Sequence, residues 1–261
     1  MNTTDRAGKR TTRTPFILSL ALLLLANAAS RAEDLPRGDC AAPAAATDLR
    51  HCDLGGAQLS GVDLRGARLD GTRLENADLK GCTLAGASLV AANLRWTKLV
   101  ASDLTGAKLS GADLFQAVLD EANVTDADLS QANLFGANLI QVRGRGADFT
   151  QAYLKDLLME KSELPESRFD RCYMLRAVLI GSRLRGASIR QATLTGASLE
   201  DVDFSDANLS GSLLNGAHLG GARFQGARLT DARFINAVHG GADFRGALEM
   251  PEHLKAMLGS Q

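Results

Sequence analysis

One position in every five is held to a single kind of side chain through most of this chain. Stepping by five from Leu54 to Phe244 visits 39 positions, and 37 hold Leu, Phe, Ile, Met or Val; Gly144 and His239 are the exceptions. Two residues before each lies a short side chain, from Cys52 and Ala57 to Ala242, with Leu157 alone departing from that rule. The frame runs without an insertion, so internal repetition constrains this fold more than composition does.

A period of five suits neither standard element. On an α-helix five residues advance about 500°, so the leucines would spiral around the cylinder instead of forming a stripe. On a flat strand they would alternate between faces. The pattern works if the chain is extended locally and turns a corner once per repeat. The short residue and the leucine, two apart, then both point inward, and the next two residues make the corner. Glycines such as Gly61, Gly66, Gly71, Gly106 and Gly111 stand at those corners and tolerate turn dihedrals. Such a coil buries its apolar residues only by stacking on the next.

Tandem phrases such as Ala112-Asp113-Leu114 and Ala207-Asn208-Leu209 resemble those of the pentapeptide-repeat proteins. The resemblance covers residues 49–246. It implies an all-β fold, a right-handed quadrilateral β-helix with four repeats, or twenty residues, per coil. At the strand spacing of about 4.8 Å, some ten coils would make a rod about 45–50 Å long.

Twenty-residue coils stack residue i on i+20, which sorts the repeats into four faces. The first face, counted from Cys52, gathers Trp96, Phe115, Phe135, Tyr153, Tyr173 and Leu175 at outward positions. The second adds outward Val118, Ile140, Leu158, Val178 and Ile180, whereas the third and fourth carry Asp, Arg, Ser, Thr and Asn. An apolar ladder on two adjoining faces can stack on itself, be covered by a terminal segment, or meet a protein partner or a second copy of the chain. On the third face Arg143, Arg145, Arg183 and Arg185 alternate with Glu163 and Glu166, which predicts a compensated surface ladder in preference to a basic cleft.

Residues 153–176 are the least regular. Leu157 is large at a short-residue position, Met159 and Met174 replace leucine, and Pro165 sits at a corner; because the frame resumes unshifted, distorted coils are expected there, with a loop or helical excursion as the alternative. Gly144 leaves an inward leucine site empty and predicts a weak point or kink. Cys52, Cys82 and Cys172 occupy the short inward position, where packing accounts for them. Cys52 and Cys172 share a face but lie roughly 29 Å apart at the strand spacing, beyond disulfide reach. Cys40 stands outside the repeats and is a candidate to bridge to Cys52 in an oxidising compartment, pinning the segment 33–48 over the first coil. The histidines His51, His218, His239 and His253 show no ligand spacing and no CxxC pair supports zinc, so no metal or cofactor is expected. Residues 247–261 read as a short capping helix whose Met250, Leu254, Met257 and Leu258 face the last coil.

Residues 1–32 have the layout of a secretory signal peptide. Arg6, Lys9, Arg10 and Arg13 precede the apolar run Phe16 to Ala29, with small-residue cleavage sites after Ala28 or Ala32. The expected location is periplasmic or secreted, without stable membrane insertion of the mature chain; an uncleaved N-terminal anchor is the alternative. Cleavage after Ala32 takes the net charge from −1 to −5. Three functions remain to weigh. An exported, non-catalytic scaffold or protein-binding solenoid needs only a rigid rod and a surface, and both are legible. Resemblance to family members that mimic B-DNA and protect DNA gyrase from quinolones implies a strongly acidic cytoplasmic rod, which the signal peptide and near-balanced charge disfavour; no nucleic-acid partner is expected. An enzyme needs a concave site with converging groups, which a side-chain-filled rod lacks unless a partner completes it.

Overall fold

In the computed structural model, residues 35–259 are described, and they fall almost wholly within the unit Pro36–Gln261. The expected signal peptide and both of its cleavage sites lie outside the described residues. Parallel bridges join each outward residue to the one twenty positions on, from Asp48 with Arg68 to Arg228 with Leu248, without a change of register. The chain is thus a quadrilateral, right-handed β-helix with four repeats per coil. Every face is a parallel sheet one extended residue wide between corners.

The repeat's sequence is explained by the fate of its five backbone N–H groups. Residues 112–116 serve as the example. The Ala112 N–H closes the corner on the Leu109 carbonyl, the Asp113 N–H donates to Ala92 in the coil below, and those of Leu114 and Gln116 donate to Asn133 and Phe135 above. That leaves Phe115, whose N–H donates to the side chain of Asp113 at 3.2 Å. Asp53, Asp103, Asn123, Asp128, Asp148 and Asn208 take the equivalent N–H in their own repeats. This bond is why Asp or Asn recurs before the leucine. Where the residue there is of another type, a carboxylate from the coil below can substitute, as Asp70 does for Val90 and Asp170 for Arg190.

The second corner residue adopts a left-handed φ at every repeat from Gly56 to Gly246, as in a type II turn. Glycine is favoured there, yet Asn76, Asp126 and Trp96 (φ 55°) hold the same conformation at a cost of about 1–2 kcal/mol each. Inward, the leucines and short residues form one continuous core. Most short residues that carry a polar atom find a carbonyl twenty-three positions back, as Thr97 does with Leu74 at 2.9 Å and the Cys172 thiol with Phe149 at 2.7 Å; Ser102 instead donates to Leu99 in its own coil at 2.7 Å.

Two sequence expectations are corrected. Residues 153–176 form regular coils, with bridges from Tyr153 to Tyr173 and from Leu158 to Val178 in the common register. Leu157 and Met159 are fully buried. The fold absorbs this stretch by inserting serine hydroxyls into corners. Ser162 Oγ accepts the Val142 N–H at 3.1 Å and donates to the Leu139 carbonyl at 2.7 Å, bridging a corner otherwise closed directly. Nor is Gly144 a kink or a void. A Cβ there would overlap Val124 and lie 2.7 Å from Leu164, so the neighbouring coils have filled the leucine's place.

The ends are closed differently. At the start, the backbone of residues 36–38 pairs with Asp48, and Gly38 passes so close to buried Leu49 that a Cβ would meet Leu49 Cδ2 at 2.5 Å. At the other end helix α1 (Glu252–Gly259) buries Leu254, while Met250, Met257 and Leu258 pack against the core. His253 Nε2 accepts the otherwise unused N–H of Phe234 at 3.1 Å, fastening the helix to the last coil. Among the described residues, no helix is long and apolar enough to cross a membrane.

Candidate interaction surface

The outward aromatics expected on the first face form one connected series. Trp96 meets Phe115 edge-on at 5.7 Å, Phe115 stacks on Phe135 at 5.4 Å, Phe135 lies 6.1 Å from Tyr153, and Tyr153 stacks on Tyr173 at 5.3 Å. The series begins at the corner between the first two faces and ends in the middle of the first, because Tyr153 and Tyr173 sit where the repeat normally places Asp or Asn. Arg95 lies 4.3 Å over the Phe115 ring and 4.8 Å over the Trp96 ring; Lys155 stands over Phe135 at 5.4 Å. The Trp96 indole N–H donates to Gln116 Oε1 at 2.9 Å.

Stacking does not finish the burial of these rings. Trp96 remains 38% exposed, Tyr153 40% and Tyr173 38%. Phe115, Phe135, Leu175, Val118, Ile140, Leu158, Val178 and Ile180 are half-buried. Among the described residues no terminal segment lies over them: α1 closes the last coil and residues 36–39 the first. The ladder is therefore both a self-stacked element and an open apolar surface.

The third and fourth faces carry ladders of another kind. On the third, Arg145 pairs with Glu166, Arg183 with Glu163 and Arg185 with Asp206, which makes it a compensated surface and not a basic cleft. On the fourth, an open recess of about 650 Å³ is lined by residues including Asp148, Thr150, Arg168, Asp170 and Arg190. Arg168 and Arg190 are engaged by Asp148 and Asp170, and a third lining arginine, Arg171, donates to Gln191 Oε1 at 3.1 Å. Burial pushes the Asp170 carboxyl up, but hydrogen bonds from Arg190 and Ser188 outweigh it and hold the group below the usual carboxylate range. Near the start of the third face, the hydrogen bond from Arg65 holds Asp63 at about 2. In both places the arginine and its carboxylate compensate one another.

Cys40 and Cys52 are disulfide-bonded with Cα atoms 5.4 Å apart. Cys82 and Cys172 are free and buried; burial pushes both thiols up, so they behave as core residues. Sequence spacing gave no reason to single out His51, yet its ring lies beside this bridge, with Nε2 3.7 Å from Cys52 Sγ.

Comparison with known proteins agrees with this geometry. The pentapeptide-repeat family model matches in eight copies spread over residues 45–164 and 172–238. HetL of the cyanobacterium Nostoc, a pentapeptide-repeat protein involved in heterocyst differentiation regulation, is 31% identical, with a TM-score of 0.68 over 77% of this chain and 92% of its own. QnrB1, a plasmid-mediated fluoroquinolone resistance protein, is 16% identical, with a TM-score of 0.34 over 79% of this chain and 90% of its own. A pentapeptide-repeat protein of the Arabidopsis thaliana thylakoid lumen is 25% identical, with a TM-score of 0.18 over 57% of this chain and 69% of its own. No curated protein matches the sequence. With its five-residue frame, twenty-residue coils and repeat-model matches across most of its length, the chain belongs to the pentapeptide-repeat family.

Proposed function

We propose that this protein is an exported, non-catalytic scaffold that binds protein through the aromatic ladder, and that its first partner is a second copy of itself. The observation that carries the reading is the contrast between faces. On the third and fourth faces Arg145, Arg168, Arg183, Arg185 and Arg190 each pair with a carboxylate of the same molecule, while the rings from Trp96 to Tyr173 stack yet stay open to water. Apolar surface held open on a rigid, flat sheet favours association, because docking removes it from water with little ordering cost.

Export rests on the N-terminal basic and apolar run and is supported by the Cys40–Cys52 bridge, which persists in oxidising compartments. The DNA-mimic reading loses support from the arginines interleaved with the carboxylates. An enzymatic reading would need a partner to complete a site.

Light scattering on the mature protein, with Phe115→Ser/Phe135→Ser alongside, tests the association. The expected result is a dimer that becomes a soluble monomer in the variant. A monomeric parent would overturn self-association and direct attention to a foreign partner on the same face; a variant that stays dimeric would remove the ladder from the interface. Cell fractionation tests export independently, and finding the chain in the cytoplasm with residues 1–32 retained would sink it.

A further inference from the structure

We propose that the clasp at the start of the β-helix has a second form: when its disulfide is reduced, Cys40, Cys52 and His51 bind one thiophilic divalent cation such as Zn²⁺. The three side chains bring their ligand atoms within 4.8 Å of one another. Zinc takes tetrahedral sulfur and imidazole ligands at about 2.3 and 2.0–2.1 Å, which sets S···N edges of about 3.6 Å and an S···S edge of about 3.8 Å. The Cys52 Sγ to His51 Nε2 edge, at 3.7 Å, already has that length. The two sulfurs must part and Cys40 Sγ must settle at the same distance from the imidazole, which now lies within 4.8 Å of it; Cys40 sits on the short N-terminal segment that can yield. Residues 36–39 hold it by few bonds, among them Gly38 N–H to Asp48 and Ala41 N–H to Asp39 Oδ1. Cys52, by contrast, is fixed in the first repeat, with its N–H closing the corner on Leu49.

The steps balance. A dithiol reductant reduces the protein disulfide to two thiols and is itself oxidised to its cyclic disulfide. The cation then displaces one proton from each thiol, forms two metal–thiolate bonds and accepts a lone pair from neutral His51. Three protein ligands leave the fourth position to water or an exogenous ligand. The metal would keep residues 36–40 fastened over Leu49 where the disulfide cannot persist, so the clasp stays shut in either redox state.

The site was invisible in the sequence because its spacing is C-x10-H-C, unlike the paired motifs that announce zinc. It lies in the first coil, away from the aromatic ladder, and it stands or falls independently of the partner reading.

The test is cobalt titration of the whole mature protein after anaerobic reduction and removal of the dithiol, followed by zinc competition against a chromophoric chelator. One cobalt per chain with a thiolate charge-transfer band is expected in the reduced protein and none in the oxidised protein. Cys40→Ser should abolish the band, and His51→Ala, a change at an exposed position, should weaken binding at least about tenfold. Cys82→Ala/Cys172→Ala should bind as the parent does. No charge-transfer band in the reduced protein would overturn the proposal, as would equal binding by the oxidised protein or by Cys40→Ser.

Discussion

The first and third faces of this β-helix are built by the same rule and end as different surfaces. Both stack residue i on i+20, so any outward column becomes a ladder. On the third face the rungs are Glu163 with Arg183 and Arg145 with Glu166, pairs that satisfy each other and still leave their side chains half in water. On the first face the rungs are rings, and a ring stacked above and below keeps its outer edge unsatisfied by anything but an apolar neighbour. Coil geometry supplies the column; side-chain chemistry decides whether the column is complete without a partner.

Several substitutions would break or sharpen that contrast. The largest effect should come from an inward stack. Phe169 is fully buried and lies 4.8 Å from Phe149, so Phe169→Ala should cost about 3–5 kcal/mol in denaturant unfolding. Phe135→Ala on the outward ladder should cost only about 0.5–1.5 kcal/mol. An equal loss at the two positions would mean that the outward ladder belongs to the core and is no free surface.

Next in size is Gly144→Leu. Restoring the repeat's own consensus should destabilise by about 1–3 kcal/mol, because Val124 and Leu164 already occupy the space. A gain in stability there would show that the third face holds a void.

The charged ladders should show themselves in acid. Asp63 is held at about 2 by Arg65, below the unfolded carboxylate value of about 3.9. Its folded form therefore binds protons less readily than its unfolded form. The stabilisation is present above pH about 4 and is lost as the pH falls towards about 2. Asp170, held low by Arg190 and Ser188, acts in the same direction. The thermal midpoint should drop across that window, and Asp170→Asn should flatten the drop; a midpoint unchanged between pH 4 and pH 2 would contradict the pairing. The smallest effect belongs to a single exposed pair. Arg183→Ala should cost about 0.2–1 kcal/mol and less in high salt, while leaving any association through the ladder untouched in light scattering.

How legible all this was depends on the range of the interaction concerned. The period of five, the inward leucines and the Asp or Asn beside them are local matters, readable because each repeat repeats the same backbone problem. Even the exchange of Asp or Asn for Tyr153 and Tyr173 could be seen as a break in that rule. Residues 153–176 misled because Leu157 and Pro165 look irregular one at a time. Both nevertheless keep the ordinary bonds of the repeat, the Leu157 N–H closing on the Leu154 carbonyl and the Pro165 carbonyl accepting from Gly146 in the coil below. Gly144 misled for the same reason, since the space it leaves is closed by residues twenty positions away on either side.

The sequence by itself determined the repeating unit, which side chains point inward, and which outward columns are apolar or charged, because these follow from the backbone path within five residues. Only the tertiary structure decided what occupies the place of Gly144, how the rings from Trp96 to Tyr173 meet, which carboxylate each arginine of the charged ladders takes, and that His51 stands against the Cys40–Cys52 bridge. Those outcomes depend on contacts eleven to twenty-three residues apart, where stacking coils or a folded-back segment bring together groups that no local pattern relates.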